Sequence, residues 1–206
     1  TGGNIIIGEI GGTSVETVTL DAGTGTTSVG VIGSGTEIGT LSIGSAENGG
    51  ITLNGAITTD GVITIDGPIT LATAAITITT ADDNINLQGT VDGGKALTLA
   101  SGSGAVAVDG AIGSSTALTS LTVNSSGAGT IEITNIGTSS AAGVTGATAI
   151  GNANTGTLTL DGTVYTTNAA TYTAATGENI DLTGAATTTF TSSNDNVTFG
   201  TATVEM

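Results

Sequence analysis

The side chains of this chain that could take part in chemistry are almost all carboxylates. Seventeen Asp and Glu residues stand against one cation, Lys95, and the net charge is −16 at pH 7. His, Cys, Arg and Trp do not occur. The usual general bases, thiol nucleophiles and guanidinium groups are therefore missing. We expect no enzymatic activity and assign no catalytic, cofactor-binding or metal-binding residue.

Glycoside hydrolases use two carboxylates placed close together. In this sequence only Asp82 and Asp83 are adjacent, and Asn84 follows them. The three residues separate two apolar segments, so the sequence predicts a solvated turn there.

Five Asp-Gly pairs are the other candidate sites for a ligand. They begin at Asp60, Asp66, Asp92, Asp109 and Asp161. Asp before Gly is typical of turns, and the tandem nonapeptide pattern of calcium-binding β-rolls is missing. We predict a structural role for these residues and no cofactor, with weak Ca²⁺ binding by separate carboxylates as the alternative.

The charge also limits the partners. Nucleic acids and anionic membrane surfaces are bound through Lys and Arg, so we expect neither as a partner. No run of about 18 apolar residues occurs, so we expect no membrane span. The first residue is Thr1 and not Met, which is expected of a mature chain or of a piece of a longer one.

The elements that must position these residues are short strands. Apolar-x-apolar triplets separated by Gly, Ser and Thr follow one another along the chain, as in Ile63-Thr64-Ile65 and Leu97-Thr98-Leu99. Alternation of apolar and polar residues indicates strands. The Gly-closed turns follow one another too closely to leave room for a helix of ordinary length. The sequence predicts an all-β fold.

The spacing of the units predicts how the strands are arranged. A triplet followed by a Gly-closed turn begins at Ile63, Ile85 and Val106, and again at Leu158 and Ile180. This recurrence favours a right-handed parallel β-helix of about 21–22 residues per rung, in which one rung is one turn of the coil. We expect residues 1–206 to form a single domain. Because Asp-Gly is also a hairpin signal, an antiparallel β-sandwich is the alternative.

Two segments depart from the regular pattern. Residues 1–12 are apolar and Gly-rich, and we expect them to form an end strand that pairs with another copy or with flanking repeats of a longer chain. Residues 138–155 are rich in Ala and Gly, and we expect a looser stretch there.

The repeats GTVDGGKALTL, VAVDGAI, STALTSLTVN and NVTFG resemble those of bacterial β-strand-repeat surface proteins of the filamentous-haemagglutinin-like adhesin class. The resemblance covers residues 51–133 and 156–200. It implies a right-handed β-helix, export to the cell surface or the extracellular space, and a role in adhesion, biofilm or a surface fibre. We therefore expect a structural module, with a self-assembling filament subunit as one form that it could take.

Ice binding by a β-solenoid is the alternative function, because the middle residue of many triplets is Thr. Paired outward Thr residues are predicted at Thr77 with Thr79 and at Thr187 with Thr189. The positions elsewhere that we take as equivalent to them are not regularly Thr, and they are occupied by Ser42, Asn86, Ala107, Glu132 and Asp181. This irregularity favours a solvated wall.

Overall fold

The chain folds into a β-helix of short parallel strands, which we call the coil. The computed structural model describes residues 2–73, 75–184, 186–200 and 202–206, so that Thr1 of the predicted segment 1–12 lies outside the described residues. The described strands are β1 (Ile5–Ile10), β2 (Thr17–Leu20), β3 (Thr27–Ile32), β4 (Thr40–Gly44), β5 (Ile51–Leu53), β6 (Ile57–Thr59), β7 (Ile63–Asp66), β8 (Ile69–Leu71), β9 (Ala75–Thr80), β10 (Ile85–Leu87), β11 (Val91–Asp92), β12 (Ala96–Ala100), β13 (Val106–Val108), β14 (Ser120–Asn124), β15 (Ile131–Ile133), β16 (Val144–Ile150), β17 (Leu158–Leu160), β18 (Val164–Tyr172), β19 (Asn179–Leu182), β20 (Thr189–Ser192), β21 (Val197–Phe199) and β22 (Thr203–Glu205).

The strands form two hydrogen-bonded sheets, of 13 and 9 strands, and the larger sheet forks at β3. The first half of β3 pairs with β5, whereas its last residue, Ile32, pairs with Ile57 of β6. The coil therefore has three faces. Face 1 runs from β1 and β3 through β5 and β8 to β11, and continues through single bridges at Ile112 and Ile136 to the first half of β18 and to β20. Face 2 runs from β6 through β9, β12, β14 and β16 to the second half of β18 and β21, and face 3 is the 9-stranded sheet.

Every strand pairing in the described part of the chain is parallel. The predicted all-β parallel β-helix is confirmed, and the alternative sandwich is wrong. The Asp-Gly pairs had suggested the sandwich, but they occupy corners between faces and not hairpins between antiparallel strands. With nine strands on face 3, the stack is about 40 Å tall at about 4.8 Å per rung.

The core consists of side chains that stack on their equivalents in the next rung. On face 3 one such ladder contains Val18, Leu41, Ile63, Ile85, Val106, Ile131, Leu158, Ile180 and Val204. Its members from Leu41 to Ile180 are at most 1% exposed. Aliphatic side chains of similar size suit such a ladder because protein interiors are close-packed.

The register gives the length of each rung. Ile63 lies opposite Ile85, and Ile85 lies opposite Val106. These two rungs therefore contain 22 and 21 residues, as the sequence predicts. Val106 pairs with Ile131, and Ile131 pairs with Leu158, so the two rungs that meet at Ile131 are several residues longer. The predicted period of about 21–22 residues therefore holds for four of the eight steps along this ladder, the other four are 23 to 27 residues long, and the two longest contain insertions.

The insertions lie in corners and leave the sheets continuous. Between Ile136 and β16, the Thr138 hydroxyl accepts hydrogen bonds from the backbone N–H groups of Ser140 (3.3 Å) and Ala141 (3.1 Å). β16 itself lies within the stretch 138–155 that we expected to be looser, and it pairs with β14 and β18. The centre of that stretch is therefore a strand of face 2, and its pairing with β18 has a register shift between Val144 and Ala147.

Gly closes the corners because adjacent rungs approach each other closely. A Cβ on Gly110 would lie 2.2 Å from the carbonyl oxygen of Gly89, and one on Gly89 would lie 2.0 Å from that of Gly67. None of the five Asp residues that precede a Gly has a positive φ. The Asp-Gly turns therefore do not use a left-handed Asp, and they need Gly for its small size at Gly110 and for its positive φ at Gly67.

The ladders predict where the fold is vulnerable. Ile65 is 0% exposed, whereas the neighbouring Thr64 points outward. We expect Ile65→Ala to lower the free energy of unfolding by about 2–5 kcal/mol because it leaves a cavity in the ladder. Thr64→Ala on the same strand should change it by less than about 1 kcal/mol. Denaturant titration followed by circular dichroism measures both, and equal losses would contradict the assignment of the two sides of β7.

Candidate binding surfaces

A column of buried hydroxyl groups lines the inside of the corner between faces 2 and 3. Its members, on successive rungs, are Thr59, Thr80, Ser101 and Ser125, all at most 2% exposed. Each hydroxyl donates a hydrogen bond to the carbonyl oxygen of a residue slightly later in the chain. Ser125, for example, donates to the Gly129 carbonyl at 2.7 Å and lies 3.2 Å from the Thr155 hydroxyl oxygen. These hydroxyls therefore satisfy backbone carbonyl oxygens and close the corner.

Adjacent serines test this role. Ser125→Ala removes the hydrogen bond from the Ser125 hydroxyl to the buried Gly129 carbonyl, which keeps the one from the Gly156 N–H (3.0 Å), and we expect the free energy of unfolding to fall by about 0.5–1.5 kcal/mol. Ser126→Ala is the matched control because Ser126 is exposed and should have an effect within about 0.5 kcal/mol. The two variants are compared by chemical denaturation, and a neutral Ser125→Ala would contradict a structural role for the column.

Most of the acidic residues lie apart from one another, and Asp82 with Asp83 and Asp181 with Glu205 are neighbours. Asp82 and Asp83 are exposed, and an Asp82 carboxylate oxygen accepts a hydrogen bond from the backbone N–H of Ser103 on the next rung, at 2.9 Å. This bond, together with one from the Ser103 side chain, lowers the pKa of Asp82. The predicted solvated turn is therefore confirmed.

The five Asp-Gly pairs lie at three different corners. Asp66, Asp109 and Asp161 lie between faces 3 and 1, Asp60 lies between faces 2 and 3, and Asp92 lies between faces 1 and 2. An oxygen of Asp92 accepts hydrogen bonds from the backbone N–H groups of Ser115 and Thr116, both at 2.8 Å. Within the described ranges, no three acidic side chains are grouped so that they could hold a metal ion. Weak Ca²⁺ binding stays a prediction.

One carboxylate is strongly stabilised. Glu16 accepts hydrogen bonds from the Thr13 hydroxyl, from the backbone N–H of Thr13 (2.7 Å) and from the backbone N–H of Val15 (3.4 Å). Mainly through the Thr13 hydroxyl, these bonds lower the pKa of Glu16 from 4.5 to about 2. These hydrogen bonds hold residues 13–16 together in the connection between β1 and β2.

The Glu16 interaction predicts a pH dependence. Because the folded-state pKa lies below the ordinary one, the contribution of Glu16 to stability is present above pH 4.5 and is lost as the pH falls through about 2. We expect the NMR titration of the Glu16 carboxyl to have its midpoint near pH 2. Thr13→Val removes the largest cause and should raise this midpoint. An identical midpoint in the variant would rule out the hydrogen bond.

All four aromatic side chains of the protein pack together in the last rungs. Tyr165 stacks on Phe190 with ring centroids 5.1 Å apart, and Tyr172 stacks on Phe199 at 5.4 Å. The Tyr165 hydroxyl donates to the Ile133 carbonyl (2.7 Å) and accepts from the Gly162 N–H (2.9 Å), and burial raises the pKa of both tyrosines. The two tyrosine rings are buried, and Phe190 and Phe199 are half-buried against the core.

The outward side chains form columns that differ between faces. The outward column of face 3 contains Thr19, Ser42, Thr64, Asn86, Ala107, Glu132, Thr159, Asp181 and Glu205. The outward column at the centre of face 2 contains Thr77, Thr98, Thr122, Ala149, Thr171 and Thr198. All but one of these face 2 positions are therefore Thr.

This arrangement corrects the comparison of threonine positions made from the sequence. Thr77 and Thr79 lie on β9 of face 2, whereas the five positions compared with them, from Ser42 to Asp181, all belong to face 3. The irregularity therefore comes from comparing two different faces. Thr187 and Thr189 are exposed, and Thr189 is the first residue of β20, which pairs with the first half of β18. They therefore do not continue the array of face 2.

Two shallow depressions lie at the last rung. They are lined by Asp181, Leu182, Thr183, Gly184, Ala186, Thr188, Glu205 and Met206.

A helix long and apolar enough to cross a membrane is not found among the described residues. No protein-family model, no curated protein and no solved structure matches this chain.

Proposed function

We propose that this chain is a non-enzymatic structural module of a bacterial surface fibre or adhesin, located at the cell surface or outside the cell. Its first and last rungs would pair with further β-rungs, supplied by a second copy or by flanking repeats of a longer chain. The resemblance of its repeats to surface adhesins supports the class. The observation that carries the proposal is the apolar character of both end rungs.

At the first rung, inward residues are only partly covered. Ile5, Ile7, Ile10 and Val18 are half-buried against the core, whereas their equivalents one rung on include the fully buried Val29 and Leu41. Covering apolar surface stabilises an association by about 25 cal/mol per Å² before its costs are subtracted. One added rung would bury these residues as the interior rungs are buried.

The last rung has the same character. Leu182, Phe190, Val197 and Phe199 are partly buried against the core, and the depressions described above lie beside them. Among the described strands, β22 pairs with β19 alone, and β1 pairs with β3 alone. Strands with an unpaired edge are templates for β-augmentation.

The backbone of β1 allows a specific test. The N–H of Ile5 donates to the Thr26 carbonyl of the next rung at 2.9 Å. Since alternate residues of a strand bond to opposite sides, the N–H of Ile6 points to the open edge. The Ile6 side chain is 81% exposed. Ile6→Pro therefore removes a donor from the open edge and leaves the pairing with β3 intact.

We expect the purified protein to form end-to-end assemblies that lengthen with protein concentration and with salt, because salt screens the repulsion between chains of charge −16. Ile6→Pro should shorten or abolish them, and Ile6→Thr, which keeps the donor, should not. Electron microscopy and sedimentation velocity measure both. Assembly of Ile6→Pro to the same extent as the parent would contradict pairing through β1.

A further inference from the structure

The acidic residues are distributed unevenly over the three faces. The face 2 strands β6, β9, β12, β14, β16 and β21 contain no Asp, Glu or Lys, and neither does the second half of β18. By contrast, the outward column of face 3 carries Glu132, Asp181 and Glu205. The strands on one broad side of a chain with net charge −16 are therefore uncharged.

The uncharged side carries a regular array. Three outward columns cross β9, β12 and β14, namely Ala75, Ala96 and Ser120; Thr77, Thr98 and Thr122; and Thr79, Ala100 and Asn124. Neighbours in a column are about 4.8 Å apart, and alternate residues along a strand are about 6.6 Å apart. Ile76, Ile78, Leu97 and Leu99, which alternate with them, are at most 1% exposed. The buried ladder therefore fixes the positions of the outward groups.

The side chains of this array are rigid as well as regular. Thr is β-branched and has few χ1 rotamers in a strand, so successive hydroxyl and methyl groups have little freedom. The central column continues from Thr122 through Ala149 to Thr171 and Thr198. The array thus runs along the central rungs to the last ones with one interruption.

We propose that face 2 binds the surface of ice. The ligand must present uncharged hydrogen-bonding groups at a fixed repeat, because the central column presents Thr hydroxyls at the rung spacing between columns of Ala, Ser, Thr and Asn. Crystalline water has this property, and its oxygen repeats on low-index planes are close to the rung spacing and to the spacing along a strand. Carboxylates bind liquid water strongly and are costly to dehydrate, and their absence from the strands of this side permits close contact with a crystal.

Other ligands suit the side less well. Protein interfaces are anchored by Trp, Tyr, Arg and Met, and the array on β9, β12 and β14 consists of Ala, Ser, Thr and Asn. A nucleic acid would need cations there. The proposal is independent of end pairing, which concerns β1 and β22, so the two can fail separately.

A bulky uncharged substitution tests the array without changing the charge. Thr98→Tyr places a ring in the centre of face 2, and Thr64→Tyr places the same ring at the matching position of face 3. Tyr is favourable in strands, so both variants should fold. Thermal hysteresis and the shape of ice crystals in the purified protein are the measurements, with circular dichroism to check folding.

We expect the parent and Thr64→Tyr to shape ice crystals and to show thermal hysteresis, and Thr98→Tyr to lose most of both. If Thr98→Tyr does not fold, Thr171→Tyr at the exposed position on β18 should give the same loss. A folded parent without any effect on ice would overturn the proposal, as would equal losses in the face 2 and face 3 variants. A parent dimer that Thr98→Tyr or Thr171→Tyr abolishes in sedimentation velocity would also overturn it, because face 2 would then bind a second copy.

Discussion

Parallel stacking in register is the constraint on which the whole structure depends. Each rung lies about 4.8 Å from the next, so every side chain has its equivalent in the next rung as its nearest neighbour. A residue type that suits one rung must therefore suit the adjacent ones. The ladder from Leu41 to Ile180 satisfies this condition with Leu, Ile and Val alone.

The aromatic residues follow the same constraint. A single large ring inside a narrow coil would lie against a smaller equivalent and leave a gap, which is costly in a close-packed interior. Tyr165 lies opposite Phe190, and Tyr172 lies opposite Phe199. The stacked pairs also contact one another edge to face, with the Phe190 and Phe199 centroids 5.1 Å apart. The four rings therefore form one cluster across the last two rungs of faces 1 and 2.

Outward positions face a related constraint, since equal charges on adjacent rungs repel each other. Most carboxylates lie outside the strands, in corners such as the one that contains Asp60. Face 3 tolerates one direct pair, Asp181 opposite Glu205, at its last rung. The consequence for face 2 is an uncharged surface whose threonines repeat from rung to rung, and this surface is the basis of the binding proposal.

The sequence alone determined the all-β fold and its coiling, because the apolar-x-apolar triplets and their recurrence are local patterns that can be read directly from the order of the residues. It also indicated that Asp82 and Asp83 form a solvated turn. It could not assign a triplet to a face, because a corner can lengthen by several residues without disturbing the strands. The longer rungs on either side of Ile131 are of this kind. Only the tertiary structure, which aligns hydrogen-bonded partners, separated the acidic column of Glu132 from the threonine column of Thr98 and placed the hydroxyl of Ser125 inside a corner.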